Sequence, residues 1–414
     1  MWNKKTGMYL SLAVAPIILG LILQDPQFIV LGIIFSVLML LVFFSPQNRI
    51  EIERTVTNPK IFEGEQMEVV IRIKSVSRSL GIVEIYDTIP SSMKIVRGSN
   101  KIIANMNKNE EVELRYLVEC PLRGYYNFGP VIMRRSDFFG LYDDKRSLEE
   151  KTTVVVYPRR LGVDEVPIDS KYRKLHPGSI TMRYVGSGSE FHSIRDYLPQ
   201  DPFRSINWKV SARLRKLMVN QFETEDVFDV LILLDAREKT AIGTQLQNPL
   251  EYSVRAAVTI ADHIMKVSNR VGLITYGEKV RIIPPGNGDM QMASMLALLT
   301  ETYAGGSTTL RYAVERATPF LTPRSPVIVI SPLNEDRSVG SVVRELCAKG
   351  HAVIIISPSP VEFERMATGN YSVRYSMLDL ERRNQLSQVR SYGAKVVDWL
   401  PDKDFAQVLA EVNM

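Results

Sequence analysis

The sequence predicts a multidomain chain: an N-terminal transmembrane helical hairpin, then an antiparallel β-sandwich, then an α/β doubly wound domain. Three patterns predict it. Two uncharged apolar runs, residues 6–24 and 26–48, open the chain. From Ile50 to about Arg160 apolar and polar residues then alternate at a period of two. After Asp226 the alternation gives way to continuous apolar runs separated by helical stretches.

Each opening run is long enough for a hydrocarbon core of ~30 Å, the first near the short limit. Asp25 is the single charge between them, Lys4 and Lys5 precede the first, and Arg49 and Arg54 follow the second. Positive flanks on both ends predict a two-pass cell-membrane protein with its soluble domains in the cytoplasm and the lipid bilayer as a partner. A cleaved signal peptide fits less well, because a second, longer apolar run follows at once with no small-residue cleavage site between. The hairpin is expected over residues 1–48.

The sandwich is expected over 49–160. Met67, Val69, Ile71 and Ile73 share one face of a strand, with Glu68, Arg72 and Lys74 on the other. Val112, Leu114, Tyr116 and Val118 repeat the pattern. Further strands are expected around 83–85, 102–103, 131–133 and 153–157, punctuated by turns at Glu63-Gly64, Arg97-Gly98 and Arg123-Gly124. Short alternating strands at this spacing predict an immunoglobulin-like sandwich. It carries no catalytic cluster, and its expected role is that of a spacer or adhesion module.

The third part is expected over 227–414. Its apolar runs, 230–234, 271–275, 327–330 and 353–356, read as strands buried on both faces of a parallel sheet. Helices are expected at 250–269, 336–349, 378–392 and 402–412, with a late strand at 395–397. Ligands of such sheets sit beyond the carboxyl ends of the strands. There the chain places Asp235, Arg237 and Lys239 after the first strand, a Gly305-Gly306-Ser307-Thr308 loop, and Ser331-Pro332 after a later strand.

This order resembles the von Willebrand factor A domain, whose metal-binding members hold one divalent cation on an aspartate, two serines at alternate positions, a loop threonine and a further aspartate. The resemblance places the aspartate at Asp235 and the threonine at Thr308. The two serine positions are Arg237 and Lys239, and the second aspartate falls at Ser331 or Pro332. Hard cations require oxygen ligands, so two cationic side chains in place of two hydroxyls oppose a metal. The expectation is that the architecture is kept, the ion is lost, and a protein cation neutralises Asp235. No cofactor is expected. Four histidines and two distant cysteines, Cys120 and Cys347, give neither a histidine metal site nor a disulfide framework.

Between sandwich and sheet, a connecting segment over 161–226 contains six basic side chains, three acids and a tryptophan between Gly186 and Leu217. Asp201-Pro202 reads as a helix start, with the helix running from Pro202 to about Leu214 and Phe203, Ile206 and Val210 as its apolar stripe. A Gly186–Ser189 turn, Glu190-Phe191, Arg195-Asp196-Tyr197, Asp201, Arg204, Asn207-Trp208 and Ser211-Ala212-Arg213 together resemble the signature of the family catalogued as domain of unknown function 58. The Arg123-Gly124 turn and Asp137-Phe138-Phe139-Gly140-Leu141 resemble that family's sandwich. One departure is Asn207, where members commonly carry an aspartate. The resemblance implies a membrane-anchored sandwich joined to a von Willebrand factor A-like domain. It also implies an association with MoxR-type AAA+ ATPases, which mature or remodel other proteins.

The function expected is therefore a non-catalytic scaffold or adaptor with a MoxR-type ATPase as protein partner. Arg195, Asp201, Arg204 and Trp208 are expected to brace the segment, with Arg213, Arg215 and Lys216 as its exposed docking face. Two alternatives stand beside it. Cations around Trp208 and Tyr197 over 195–216 suit nucleic acid or another polyanion, but the acids dilute the field and no reader motif occurs, so nucleic acid is not the expected partner. A hydrolase is the other. Ser205, Ser211 and His192 are present, yet nothing sets a nucleophile against a base and an orienting acid.

Overall fold

Alternation and apolar runs build two units in the computed structural model: Met1–Arg159 with Leu296–Glu301, and Arg160–Met295 with Thr302–Met414. The residues described are 4–43, 50–76, 79–136, 143–149, 151–162, 190–199, 201–223, 228–333, 336–369 and 372–413. The Gly186–Ser189 turn, residues 137–141 and residues 224–226 lie outside them.

The first unit opens with α1 (Lys4–Leu23) and α2 (Pro26–Phe43). They form a hairpin with Ala13 buried between them, and Asp25 accepts the Gln27 amide at the head of α2. Here the structure corrects the sequence. Among the described residues no helix is long and apolar enough to cross a membrane. α1 has 20 residues, but the first two are Lys4 and Lys5. α2 has 18 residues, about 27 Å at ~1.5 Å per residue, against a hydrocarbon core of ~30 Å. The uncharged run 6–24 begins two residues inside α1, and the run 26–48 continues beyond the described end of α2. The transmembrane hairpin and the two-pass membrane location built on it are therefore not supported.

The rest of this unit is β1 (Ile50–Val56), β2 (Lys60–Phe62), β3 (Gln66–Ser75), β4 (Gly81–Asp87), β5 (Lys94–Gly98), β6 (Lys101–Met106), β7 (Glu111–Glu119), β8 (Gly124–Phe128), β9 (Val131–Ser136), β10 (Asp143–Leu148) and β11 (Thr152–Tyr157). They pair as β1-β3-β7-β5, β10-β9-β4-β6 and β2-β11-β8, antiparallel except for β2 beside β11. In β3 and β7 the pairs Val69–Tyr116 and Ile71–Leu114 fall in register and point inward, where Val83, Ile85, Met133 and Val154 meet them. A buried ionic pin crosses this core. Arg54 donates to Asp87 at 2.5 Å, with both side chains fully buried, and Asp87 also accepts the Tyr116 hydroxyl. Burial first, then the Asp87 charge, pushes the Tyr116 phenol far up, so it remains a donor.

The second unit begins, among the described elements, with a hairpin of β12 (Glu190–Asp196) and β13 (Met218–Glu223), joined through α3 (Trp208–Leu214). There follow β14 (Asp229–Asp235), α4 (Pro249–Lys266), β15 (Arg270–Tyr276), β16 (Arg281–Gly286), α5 (Asp289–Glu301, whose last six residues belong to the first unit), α6 (Leu310–Ala317) and β17 (Val327–Ile330). The chain closes with α7 (Val339–Ala348), β18 (Val353–Pro358), α8 (Pro360–Thr368), α9 (Val373–Ser391), β19 (Lys395–Trp399) and α10 (Phe405–Asn413). The sheet order is β16-β15-β14-β17-β18-β19, parallel apart from the antiparallel edge strand β16.

Both faces are covered. Leu231, Leu233, Val327, Val329 and Ile355 pack with residues of α6, α7 and α9. Their neighbours in sequence, Val230, Ile232, Leu234 and Ile328, are fully buried on the opposite face, where α4 lies against β14, β15 and β17. Tyr252, Phe363, Trp399 and Phe405 stack in series on α4, α8, β19 and α10 and close that side.

Candidate functional site

A parallel sheet directs its strand carboxyl ends to one edge, and two buried arginines fill that edge here. Asp235 ends β14 and is fully buried. Its Oδ1 accepts the backbone N–H of Arg237 at 3.0 Å and Arg237 Nε at 3.0 Å. Its Oδ2 accepts Arg237 Nη2 at 2.6 Å and the Ser331 hydroxyl at 2.6 Å. These bonds use up the roughly four acceptor sites of a carboxylate. Burial opposes the Arg237 charge, but the bond to Asp235 and its charge outweigh it and hold the guanidinium firmly protonated. The buried Tyr276 hydroxyl lies beside them; burial first, then the Asp235 charge, pushes it well above the usual phenol range.

The remaining expected positions separate. Thr308 donates its hydroxyl to the Gly277 carbonyl at 2.6 Å and does not bond Asp235. Lys239 is exposed on a 3₁₀ turn, Glu238–Ala241. Pro332 sends its carbonyl to a different arginine. The second acid of the site is one the sequence reading passed over. Asp336, five positions beyond Ser331, lies 3.8 Å from Arg237 Nη1 with its side chain 1% exposed. It also accepts the Leu310 amide at 2.8 Å and the Ser338 amide at 2.9 Å, tying α6 to the loop before α7. Its signal was there as an Asp-Arg-Ser turn ahead of an apolar helix. The cation that the von Willebrand resemblance brings with it does not fit these residues, because Asp235 has no lone pair left to give one.

Arg382 fills the other half of the edge from α9. It donates to the Pro332 carbonyl at 2.8 Å, the Ser357 carbonyl at 2.9 Å and Asp398 at 2.6 Å, joining the ends of β17, β18 and β19. Beside Arg237, on the β15 side, backbone bonds zip the loops together. Gly305 N–H donates to Ala236 at 2.9 Å, Thr308 N–H to Gly277 at 3.2 Å and Glu238 N–H to Gly306 at 3.1 Å. A Cβ on Gly277 would strike the Ala236 carbonyl, and one on Gly306, at φ +71°, would strike the Glu278 backbone.

The β12–β13 hairpin is the second candidate. Glu190 and Phe191 start β12, but their side chains lie outside the described residues, as does that of His192. Arg195 grips Asp201 through two bonds of 2.6 and 2.5 Å, and Asp201 also accepts the Leu198 amide at 2.8 Å. Asp201 therefore closes a loop and caps no helix. The helix starts at Trp208, and Asn207 is its cap, accepting the Val210 amide at 3.1 Å and donating to Asn220 at 2.8 Å. Phe203–Ser205 is a separate 3₁₀ turn, and Ile206 bridges to Val219. The Ser211 hydroxyl accepts the Met218 amide at 2.9 Å, which seats α3 on the hairpin.

These bonds correct the expected roles. Arg195, Asp201, Asn207 and Ser211 are the braces. Arg204 is exposed, Trp208 is 65% exposed, and Arg213 and Arg215 are exposed with them. Lys216 is paired with Asp196 at 2.7 Å. Tyr197 stacks near Phe203 at 6.1 Å between ring centroids.

Two predictions follow from this division of labour. Trp208→Ala and Arg204→Ala each shift stability by no more than about 0.5 kcal/mol in urea melts, as surface substitutions do, whereas Asn207→Ala costs about 1 kcal/mol as a lost cap. The second concerns pH. The Arg195 bond holds the Asp201 carboxyl below its usual range, so its stabilisation is complete above the unfolded carboxylate range and fades as pH falls through the lower folded value. Asp201→Asn should flatten the acid limb of stability against pH by up to about 1 kcal/mol, the ceiling for a pair near the surface.

Fold and site together define an α/β unit with a self-filled strand edge, preceded by a braced hairpin that presents cations and a tryptophan. Residues 193–374 match the family described as "Protein of unknown function DUF58". The chain is 23% identical over 343 residues to "Uncharacterized protein YeaD" of Bacillus subtilis (strain 168), covering 80% of this chain and 83% of that protein. It is 26% identical over 188 residues to "Uncharacterized protein Rv1480" of Mycobacterium tuberculosis, covering 43% of this chain and 58% of that one. Among solved structures, the cupredoxin domain of amoB from Nitrosocaldus yellowstonii aligns with 26% of this chain and 86% of its own, at 10% identity and a TM-score of 0.20, too low to carry a fold argument.

Proposed function

We propose that this chain is a non-catalytic scaffold or adaptor whose protein partner is a MoxR-type AAA+ ATPase, and that its α/β unit is a von Willebrand factor A-like module in which Arg237 has replaced the cation. The observation that carries the reading is the saturation of Asp235 by Arg237 and Ser331, with Arg382 occupying the rest of the strand edge. An edge filled this way has its polar groups spent on one another. The two serines that could have served a hydrolase are spent as well: Ser205 donates to the Pro202 carbonyl at 2.6 Å, and Ser211 is bonded to Met218. The partner class comes from the resemblance of the 190–213 motif to the domain-of-unknown-function 58 signature, and the exposed arginines with Trp208 are of the residue types that dominate protein interfaces.

The experiment is to titrate the purified full chain into the MoxR-type ATPase of the same cell, following co-sedimentation and ATP turnover. Micromolar association with altered turnover is expected. If neither changes, the ATPase partnership is wrong; magnesium binding that displaces Arg237 from Asp235 would remove the scaffold reading of the edge.

A further inference from the structure

We propose that the outer face of α3 is a docking surface for an acidic amphipathic helix of a protein partner; the inference rests on the adaptor reading in taking the occupant to be a protein. Within α3, Ser211 faces the hairpin and is buried, which turns Trp208, Lys209, Ala212 and Arg213 outward. Trp208 and Ala212 are four residues apart, as are Lys209 and Arg213, so the face carries an apolar row beside a cationic row, with members about 5–6 Å apart.

Charge sets the first half of the partner's chemistry. Among the described residues Arg204, Lys209, Arg213 and Arg215 form no salt bridge, while the nearby acids are already engaged, Asp196 by Lys216 and Asp201 by Arg195. The surface thus holds positive charge with no counter-ion among the described residues, and a carboxylate-bearing partner completes it. Apolar exposure sets the second half. Phe203 is 73% exposed, Trp208 65% and Leu214 50%. A nucleic acid would use the cations for phosphates and the aromatic faces for bases, but it leaves Leu214 and Leu217 in water. A helix with a carboxylate row beside a leucine or methionine row satisfies both rows at once, and an Arg and Trp pairing of this kind is the composition of an interface hot spot.

The test places a photoreactive benzoylphenylalanine at Ala212 in the full chain, irradiates the cells that make it, and sequences the crosslinked segment. The adduct is expected on a segment with Asp or Glu and apolar residues at helical spacing. Arg213→Glu should lower its yield at least tenfold, and reversing the facing partner carboxylate to arginine should restore it. Thermal melts that match the parent chain show that each variant is folded. A nucleotide adduct, a segment without carboxylates, no adduct, or a yield unmoved by Arg213→Glu overturns the proposal. The two readings fail separately. An acidic helix from a protein other than the ATPase keeps this surface and removes the ATPase. Association with the ATPase that is indifferent to Trp208→Ala and Arg213→Glu does the reverse.

Discussion

Arg237→Ala is expected to destabilise the α/β unit by about 3–5 kcal/mol, the cost of leaving a buried carboxylate without its partner. Asp235 is fully buried, and the guanidinium of Arg237, 7% exposed, supplies two of its bonds. The Ser331 hydroxyl and the Arg237 amide survive the substitution, but both are neutral donors in a site that water reaches poorly. The double variant Asp235→Asn with Arg237→Met should recover most of the loss, because removing both charges also removes the desolvation that each one suffered. Urea unfolding followed by fluorescence checks this: the midpoint falls in the single variant and returns in the double one, with the slope unchanged. A single variant as stable as the parent would mean that Asp235 is neutralised by something other than Arg237.

Asp87→Ala carries the second large effect, in the sandwich. It removes the partner carboxylate of Arg54, whose side chain is fully buried and also donates to the Phe128 carbonyl at 3.1 Å. About 3–5 kcal/mol is expected again. Tyr116→Phe should cost less, about 1–3 kcal/mol, since it removes one donor and leaves the ion pair in place. Amide hydrogen exchange separates the outcomes by location. Protection should drop across β3 and β7 in both variants and stay unchanged across β14 and β17. Equal losses from the two substitutions would show that the phenol, and not the guanidinium, holds Asp87.

Periodicity made the two architectures legible. The two-residue alternation of Met67, Val69, Ile71 and Ile73 is the inward face of β3, and the fully apolar run from Val230 to Leu234 is a central strand buried on both sides. Asp235 at the end of that strand was legible too, as was its proximity to a cation. What the sequence hid was long-range or depended on where helices stop. Asp336 enters the site only because the turn before α7 folds back over β14, a contact between residues about a hundred positions apart that no local pattern encodes. Arg382 was invisible for the same reason, being one polar residue in a helix of mixed composition whose partners lie on β18, on β19 and just beyond β17. The segment 202–214 was misjudged because Asp201-Pro202 is a sound local start for a helix. Tertiary pairing won instead: Ile206 is held extended against Val219, so the helix starts six residues later than Pro202, at Trp208 under the Asn207 cap. That shift leaves Trp208, expected as a brace, outside and puts Ser211 inside. The opening hairpin failed because an uncharged run does not fix where a helix starts or stops: α1 takes in Lys4 and Lys5, and α2 as described has 18 residues.

The zipped loops at the strand edge have a mechanical consequence. Because Gly277 and Gly306 let three backbones lie closer than any side chain would permit, those loops can shift only as a single plate. A hinge would have to break several backbone hydrogen bonds together before any one loop lifted. The mouth of the sheet is thus unsuited to opening and closing, and a signal that reached it would have to pass through as a rigid displacement of the whole unit.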